Sequence, residues 1–385
     1  MTLEPKHPPM VPSYGTATLA DLSASILASL EPGTPEPVNV LGLAPAARAC
    51  LLIVDALGWE LLRDHPAAAP FLSELAPNSR PITAGFPATT VTSLASIGTG
   101  RPPGQHGMLG YQVLIPGEDR LLNGLRWPDD IDPVAWQPRP TIFERATAAG
   151  VAPVHVSPGA FRKSGLTRAA LRGAEYRSAD SLGALAALAV DALGESERTL
   201  VLAYHGDLDA TGHRYGVASA AWSHQLAHVD KLAEQIAADL PYGAVMYVTA
   251  DHGMVDVGPD DRIDADEASS VLRDGVALLG GEARARHVYA RPGAAEDVLA
   301  TWREVLGERA WVLSREEAVK EGWFGPVGTP VSDTMTPRIG DVVAACAGSW
   351  AVVASRAEPL EASLIGMHGS LTAPEQLVPM LTPAR

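Results

Sequence analysis

The sequence has little cysteine and no long uninterrupted apolar run. Its two cysteines, Cys50 and Cys346, are too few for a disulfide framework and neither belongs to a CxxC pair, so we expect buried thiols in a reducing compartment. No apolar run approaches the roughly 20 residues that span a bilayer. The proline-rich N-terminus also lacks the basic and then apolar pattern of a signal peptide. We therefore expect a cytoplasmic protein with no membrane partner.

Positive charge is also scarce, with 29 Lys and Arg against 45 Asp and Glu and a formal net charge of -16. A net-acidic surface does not attract a nucleic acid polymer or an anionic membrane. The 385 residues are 46% hydrophobic and 19% charged, which is typical of a globular chain. Composition and charge therefore leave a metabolic enzyme or a binding protein as the class of protein to expect. An anionic substrate would need metal ions to supply local positive charge.

Short apolar runs alternate with helical patterns after residue 37, which indicates an α/β fold with a largely parallel sheet. Residues 1–37 are proline-rich around one short helical stretch, Leu19–Leu30, and we expect an arm packed on the surface. Residues 257–340 read as a small β-α-β insertion. The apolar run that follows is expected to return to the main sheet, so residues 38–256 and 341–385 would form the core.

Three apolar runs end in carboxylates, and each has the pattern of a buried strand. The first ends at Asp55, the second leads within a few residues to Asp209, and the third ends at Asp251 and His252. Ligands of open α/β sheets bind just outside the carboxyl ends of the strands. A single Asp there could be only a helix N-cap or a turn residue. Three such strand ends favour one shared polar site.

Carboxylates and imidazoles at metal-ligand spacing strengthen this prediction. Asp209 and His213 are four residues apart and would project from one face of a helix. His368 follows near the C-terminus, between Met367 and Gly369. Together with the strand ends, these residues give three carboxylates and three imidazoles, enough for two metal ions with open positions. Such ligands suit zinc or manganese.

A second histidine pair, His224 and His228, lies four residues apart on a predicted helix within residues 219–240. Both histidines lie away from the apolar stripe of that helix. A solvated face is therefore the better interpretation than a metal pair.

A nucleophile is predicted at Thr89 or Thr90, which precede a run of small residues with helical character. A hydroxyl at the start of that helix would lie at the positive end of the helix dipole, near free backbone N–H groups. A metal ion would lower its pKa further. The alternative is that either threonine is only the N-cap, and one residue can have both roles.

In their order along the chain, these motifs resemble the alkaline phosphatase superfamily, and specifically its type I phosphodiesterase/nucleotide pyrophosphatase family. The resemblance covers about residues 48–256 and 340–370, and the insertion between them is unmatched. It implies an alkaline-phosphatase-like sandwich, with a mostly parallel central sheet, helices on both faces and a small α+β insertion. The motifs are Asp55, residues 87–107 with Thr99 and Gly100, residues 209–213, residues 251–254, and His368 with Gly369.

The resemblance also implies the ligand sets. One divalent metal ion is assigned to Asp209, His213 and His368, and the other to Asp55, Asp251, His252 and the nucleophile hydroxyl. The family places its threonine nine residues before the Thr of the Thr-Gly pair, which selects Thr90. The ions are taken as zinc, with manganese as the alternative. The implied mechanism is attack by Thr90 on phosphorus to form a phosphothreonine, which is then hydrolysed.

The expected substrate is a small phosphorylated molecule, with a nucleotide as one candidate. The family usually has an Asn shortly after the nucleophile, whereas the nearby polar candidate here is Ser93. This departure keeps a phosphomonoesterase or a phosphonate hydrolase open as alternatives to a phosphodiesterase. Tyr111 is a candidate for stacking on a leaving group. A third alternative is a catalytically silent protein that binds a phosphorylated ligand.

Other polar residues near these motifs have weaker assignments. His205 and Asp207 are candidates for orienting the metal ligands, and His106 is expected to anchor its loop. Arg162 and Lys163 either bind a substrate phosphate or carboxylate, or lie in a solvated loop.

Overall fold

The computed structural model of the protein describes residues 5–30 and 37–383. Parts of the predicted N-terminal arm, residues 1–4 and 31–36, and the last two residues of the predicted core lie outside this description. The strands are β1 (Arg48–Val54), β2 (Ile82–Thr83), β3 (Gln112–Leu114), β4 (Leu121–Asn123), β5 (Ala152–Ser157), β6 (Glu175–Ser178), β7 (Thr199–His205), β8 (Ala244–Thr249), β9 (Val255–Asp256), β10 (Arg262–Asp264), β11 (Val276–Glu282), β12 (Ala285–Ala290), β13 (Ala310–Ser314), β14 (Val342–Cys346), β15 (Ala351–Val353), β16 (Gly366–Met367) and β17 (Leu377–Val378). The α-helices are α1 (Leu19–Leu30), α2 (Trp59–Asp64), α3 (Pro70–Leu75), α4 (Thr90–Thr99), α5 (Pro103–His106), α6 (Pro133–Trp136), α7 (Ile142–Ala148), α8 (Gly165–Ala170), α9 (Leu182–Gly194), α10 (Asp207–Tyr215), α11 (Ala220–Ala238), α12 (Ala295–Leu306), α13 (Arg315–Lys320) and α14 (Ala373–Gln376).

The main sheet has five strands in the order β6-β5-β7-β1-β8, and all its pairings are parallel. All seven residues of β7 and six of the seven in β1 are buried, as expected for strands covered on both faces. The helices that cover it form two groups, α1 with α4 and α7, and α9 with α11 and α3. The predicted α/β fold with a parallel central sheet and helices is confirmed.

Helix α1 has the bounds that the sequence predicts, Leu19–Leu30. Nine of its 12 residues are buried, and its apolar side chains belong to the main hydrophobic core. The helix packs on α4, which begins at Thr90. This part of the N-terminal segment therefore supports the helix that carries the predicted nucleophile.

A second, antiparallel sheet has the order β11-β12-β14-β13, with α12 packed against it. The prediction that the apolar run after residue 341 returns to the main sheet is wrong, because β14 pairs with β12 and β13. All five residues of β14 are buried and apolar, so their pattern carries no information about which sheet they join. The division into a core and an insertion over residues 257–340 stays a proposal, and β14 belongs with the sheet of the insertion.

The two cysteines are buried free thiols, as the sequence predicts. Over residues 5–30 and 37–383, no helix combines the length and the apolar character that a bilayer crossing requires.

Candidate active site

The carboxyl ends of three neighbouring strands bring the predicted carboxylates together. Strands β7, β1 and β8 lie side by side in the main sheet. Asp55 directly follows β1, Asp251 follows β8 by two residues, and Asp209 lies in the first turn of α10 after β7. The local order of strand and helix in the sequence is therefore sufficient to place all three at one edge of the sheet.

Asp55 is buried, with 3% of its surface exposed. Its Oδ2 accepts a hydrogen bond from the Tyr204 hydroxyl. Its Oδ1 lies 3.4 Å from His252 Nε2 and accepts no hydrogen bond from the described residues. Burial raises the pKa of Asp55 well above its usual value, and the charges of Asp251 and Asp209 raise it further.

Asp251 is fully buried and divides its two oxygens between different roles. Oδ1 accepts hydrogen bonds from the backbone N–H groups of Ala56 (3.1 Å) and His252 (3.0 Å). Oδ2 lies 3.5 Å from His252 Nε2 and has no hydrogen-bond partner among the described residues. One oxygen therefore fixes the carboxylate on the backbone, and the other faces the site.

Asp209 and His213 lie one turn apart on α10, as their spacing predicts. Asp209 Oδ2 is 3.3 Å from His213 Nε2, and Asp209 Oδ1 is 3.7 Å from His368 Nε2. Burial raises the pKa of Asp209. Its Oδ1 is a further buried oxygen for which the described part of the chain supplies no hydrogen bond.

The three imidazoles share one mode of attachment, in which Nδ1 is held by a backbone carbonyl. The pairs are His213 with Gly366 O (2.7 Å), His252 with Gly253 O (2.9 Å) and His368 with Ala88 O (2.9 Å). Nδ1–H donates to the carbonyl in each pair, so in the neutral ring the lone pair is on Nε2. The rings of His252 and His368 stack with centroids 3.7 Å apart.

These residues fit divalent cations. Within the described ranges, two groups have ligand atoms that lie within 4.8 Å of one another: Asp55 with Asp251 and His252, and Asp209 with His252 and His368. His213 is in neither group, and its Nε2 lies 3.3 Å from Asp209 Oδ2. Buried carboxylate oxygens without a hydrogen bond and imidazoles with a free Nε2 form a donor set that suits zinc or manganese.

Thr90 is the first residue of α4, and its Oγ1 lies 3.3 Å from His252 Nε2. Thr89 is the N-cap residue and is buried, and its side chain makes no capping hydrogen bond to the helix. The Thr90 hydroxyl therefore lies among the predicted metal ligands, at the positive end of a ten-residue helix.

The two predicted substrate contacts lie in different surroundings. Ser93 is fully buried within α4, and no described residue hydrogen-bonds to its Oγ. Tyr111 is partly exposed, and its hydroxyl donates to Glu361 Oε1 at 3.3 Å. The structure does not pair either hydroxyl with a predicted metal ligand.

The other sequence candidates belong to neither candidate metal group of the described residues. His106 bonds Ser96 Oγ (3.0 Å) and Met108 N (3.1 Å), and burial lowers its pKa to about 3, so it is a neutral loop anchor as predicted. His205 Nε2 contacts the Gln225 amide at 3.1 Å, while Asp207 begins α10. Arg162 stacks on Tyr176 and Lys163 is exposed. His224 and His228 are exposed on α11, and neither belongs to a candidate metal group of the described chain.

Sequence reasoning missed two side chains of the site. The Tyr204 hydroxyl donates to Asp55, and Glu282, at the end of β11, has Oε2 3.8 Å from His368 Nδ1. Burial raises the pKa of Glu282 well above its usual value, although a bond from Thr89 lowers it in part. Tyr204 lies inside a recognisable strand, but Glu282 lies in the insertion, where no motif marks it.

A parallel α/β sheet whose strand ends collect carboxylates and imidazoles around a helix-terminal hydroxyl is the arrangement of a hydrolase acting on phosphate esters. The family model for type I phosphodiesterase/nucleotide pyrophosphatase matches residues 49–371. The chain belongs to this family, within the alkaline phosphatase superfamily.

Solved structures show the same fold. Murine ectonucleotide pyrophosphatase/phosphodiesterase 5 is similar with a TM-score of 0.67 and 18% identity, over 86% of this chain and 87% of that one. The human protein of the same name has a TM-score of 0.66 and 18% identity, over 87% of each chain. Phosphonoacetate hydrolase from Sinorhizobium meliloti, in complex with phosphonoacetate, has a TM-score of 0.65 and 19% identity, over 88% of this chain and 90% of that one. No curated protein sequence matches the chain significantly.

Proposed function

We propose that this protein is a two-metal phosphoric ester hydrolase that uses Thr90 as its nucleophile, with a phosphodiester or nucleotide pyrophosphate as substrate. The observation that carries the proposal is the position of the Thr90 hydroxyl, 3.3 Å from His252 Nε2 within the carboxylate and imidazole cluster. The N-cap of α4 is Thr89, so a capping role does not account for the position of the Thr90 hydroxyl.

The proposed ligands divide into two sets. Asp209, His213 and His368 would hold one ion, and Asp55, Asp251, His252 and Thr90 would hold the other. Bound zinc, or manganese in its place, would lower the pKa of the Thr90 hydroxyl and neutralise charge on the phosphoryl oxygens. Three carboxylates against two divalent ions leave a net charge of about +1, which favours an anionic substrate in an otherwise acidic protein.

The proposed reaction has two steps. The Thr90 hydroxyl loses its proton to solvent and its oxygen forms a bond to phosphorus. The bond from phosphorus to the leaving oxygen breaks, and the leaving group takes the electron pair and a proton from solvent. Water then cleaves the phosphothreonine and regenerates the hydroxyl. The N-terminus of α4 supplies backbone N–H groups close to the phosphoryl oxygens in both steps.

Two relatives support different substrates. An inactive threonine-to-alanine variant of the murine ectonucleotide pyrophosphatase/phosphodiesterase 5 is known in complex with AMP, and this chain is similar to it with a TM-score of 0.67 and 16% identity. This supports a nucleotide-like substrate and an essential threonine. Ser93 in place of the family's Asn, together with the similarity to phosphonoacetate hydrolase, supports a phosphonate hydrolase or a phosphomonoesterase as the second candidate.

The test is a rate comparison on zinc- and manganese-loaded protein. The substrates are bis(p-nitrophenyl) phosphate, p-nitrophenyl phosphate and phosphonoacetate. We expect the diester to be hydrolysed fastest, and Thr90→Ala to lower kcat by about 10³-fold or more, because the covalent step is lost.

Two variants control for the position of the hydroxyl. Thr90→Ser keeps an attacking oxygen and should retain measurable turnover. Thr89→Ala removes the neighbouring side chain and its bond to Glu282 but no attacking oxygen, so it should lower kcat far less than Thr90→Ala. Equal losses in Thr89→Ala and Thr90→Ala would contradict the assignment of the nucleophile. Preference for the monoester or for phosphonoacetate would select the second candidate. Metal binding without turnover of any substrate would favour the silent binding protein.

A further inference from the structure

A fully buried ion pair joins the insertion to the C-terminal segment. Arg284 lies in the turn between β11 and β12, and Glu375 lies in α14. Arg284 Nε donates to Glu375 Oε1 and Nη2 donates to Oε2, each at 2.7 Å, and neither side chain is exposed. This is the bidentate geometry that an arginine and a carboxylate form when both are fixed in orientation.

Glu375 also bonds to both loops that carry histidines of the site. Its Oε1 accepts from Ser370 N at 2.9 Å, two residues after His368. Its backbone carbonyl accepts from Gly253 N at 2.9 Å, directly after His252. One residue therefore connects the two loops whose imidazoles stack on each other in the site.

Arg284 is in turn fixed from its other side. It donates to the carbonyl oxygens of Trp350 at 2.6 Å and Gly348 at 2.8 Å, both in the loop between β14 and β15. A buried pair with this many hydrogen bonds contributes little net stability compared with an apolar pair of the same size, because both ions lose their hydration. Its structural consequence is a fixed distance between the insertion and α14.

The packing around this pair leaves no space for adjustment. A Cβ on Gly253 would lie 1.9 Å from the carbonyl oxygen of Pro374, and a Cβ on Gly369 would lie 2.8 Å from Glu282 Cγ. The loop after His252 therefore lies directly against the start of α14, and the loop after His368 lies directly against the end of β11. A shift of Glu375 would move both loops.

We propose that Arg284 and Glu375 are positioning residues, which set the separation of the His252 and His368 loops and thereby the affinity of the site for metal. The proposal rests on the two-metal function above. Neither side chain is itself a proposed metal ligand. Metal ligands must be held to about 0.5 Å, so the two loops that carry His252 and His368 need fixed positions.

The experiment measures the zinc dissociation constant of the full chain by competition with a chromogenic chelator, together with the melting temperature, kcat and KM. The variants are Glu375→Gln, which keeps volume and removes charge, Arg284→Lys, and Arg284→Met. Arg286→Met is the matched control. Arg286 is the second residue of β12, is 1% exposed, and pairs with Glu358 at 2.8 Å rather than with Glu375.

We expect Glu375→Gln and Arg284→Met to bind zinc about 10- to 100-fold more weakly, the range found when residues that orient metal ligands are changed. Arg284→Lys should recover part of this loss, because it restores charge but not the bidentate geometry. Arg286→Met should lower the melting temperature by about as much as Arg284→Met does, while its zinc affinity remains close to that of the wild type.

Wild-type zinc affinity in Glu375→Gln would overturn the proposal, as would an equal loss of affinity in Arg286→Met, since that would report only damage to the fold. If Arg284→Met does not fold, the comparison of Arg284→Lys with Arg286→Met decides the question. A wild-type protein that binds zinc but hydrolyses none of the substrates would contradict the proposed function and leave the affinity comparison valid. A wild-type protein that binds no zinc would overturn both.

Discussion

Replacing Asp55 by Asn is expected to stabilise the protein in the absence of metal and to weaken its stabilisation by metal. Asp55 is 3% exposed, and its pKa is raised by burial and by the charges of Asp251 and Asp209. Without a cation, folding therefore forces like charges together in a site of low dielectric constant. Asn has the same shape, and its carbonyl oxygen can still accept the hydrogen bond from Tyr204.

The size of the expected stabilisation follows from the distance between the carboxylates of Asp55 and Asp251. The ligand atoms of Asp55 and Asp251 lie within 4.8 Å of each other. Two unit charges at that distance repel by about 3.5 kcal/mol at an effective dielectric constant of about 20. Partial protonation relieves some of this repulsion, because the pKa of Asp55 is raised. We therefore expect Asp55→Asn to gain about 1–3 kcal/mol in free energy of unfolding at pH 8.

The assay is urea unfolding of both proteins in chelator, at pH 8 and at acidic pH, and again with excess zinc. A carboxyl whose pKa is higher in the folded state costs stability as the pH rises above its unfolded pKa, so the gain should shrink on acidification. With excess zinc the wild-type protein should become the more stable of the two. Only the wild-type site keeps its full ligand set, and zinc that binds the folded state stabilises it by mass action.

Asp230→Asn is the control for a general effect of removing a buried charge. Asp230 is 6% exposed, and its oxygens accept from the backbone N–H groups of Phe71 (3.2 Å) and Leu72 (2.8 Å). Burial raises the pKa of Asp230 too, so this variant reports the general effect of removing a buried charge, and it should keep the wild-type response to zinc. An Asp55→Asn protein that is less stable than wild type in chelator at pH 8 would refute the reasoning.

Three further outcomes are expected. Chelation should lower the melting temperature of the wild-type protein and abolish turnover, and added zinc should restore both. Scanning calorimetry and the diester assay measure the two effects, and turnover that persists in chelator would exclude the two-metal site. Glu282→Gln should have a kcat/KM closest to that of the wild type at acidic pH, because the raised pKa of Glu282 favours there the neutral carboxyl that Gln resembles. A pH profile of steady-state rates checks this, and a loss at acidic pH would contradict it. Ser93→Ala should raise KM for the diester without lowering the melting temperature, because its buried Oγ bonds to no described residue; thermal melting and Michaelis kinetics measure the two effects, and an unchanged KM would remove Ser93 from the substrate contacts.

The features that the sequence predicts well are those that depend on local order along the chain. The carboxylates at the ends of β1, β7 and β8 converge because neighbouring parallel strands end at one edge, and Asp209 meets His213 because a helix repeats every 3.6 residues. The helix Leu19–Leu30 is predicted with its bounds for the same reason.

The features that escaped prediction depend on contacts between distant parts of the chain. Glu282 reaches His368 from 86 positions earlier, and Arg284 meets Glu375 across 91 positions. Strand β14 joins the sheet of the insertion because its partners β12 and β13 lie there, and its own apolar residues fit either sheet equally well. Each of these outcomes is decided by tertiary packing, which residue type and spacing do not encode locally.

The surroundings of His252 Nε2 give the strongest physical reason for a cation at this site. Its Nδ1–H donates to the Gly253 carbonyl, so Nε2 presents a lone pair. Oxygens of Thr90, Asp55 and Asp251 lie 3.3, 3.4 and 3.5 Å from it. The threonine hydroxyl can donate one hydrogen bond, but two ionised carboxylates have no proton to give. The lone pair of Nε2 and the carboxylate oxygens therefore repel one another. Protonation of Asp55 relieves one of these repulsions, in agreement with its raised pKa. A divalent ion held by these residues would relieve the remaining repulsions, because a cation accepts lone pairs from oxygen and nitrogen ligands.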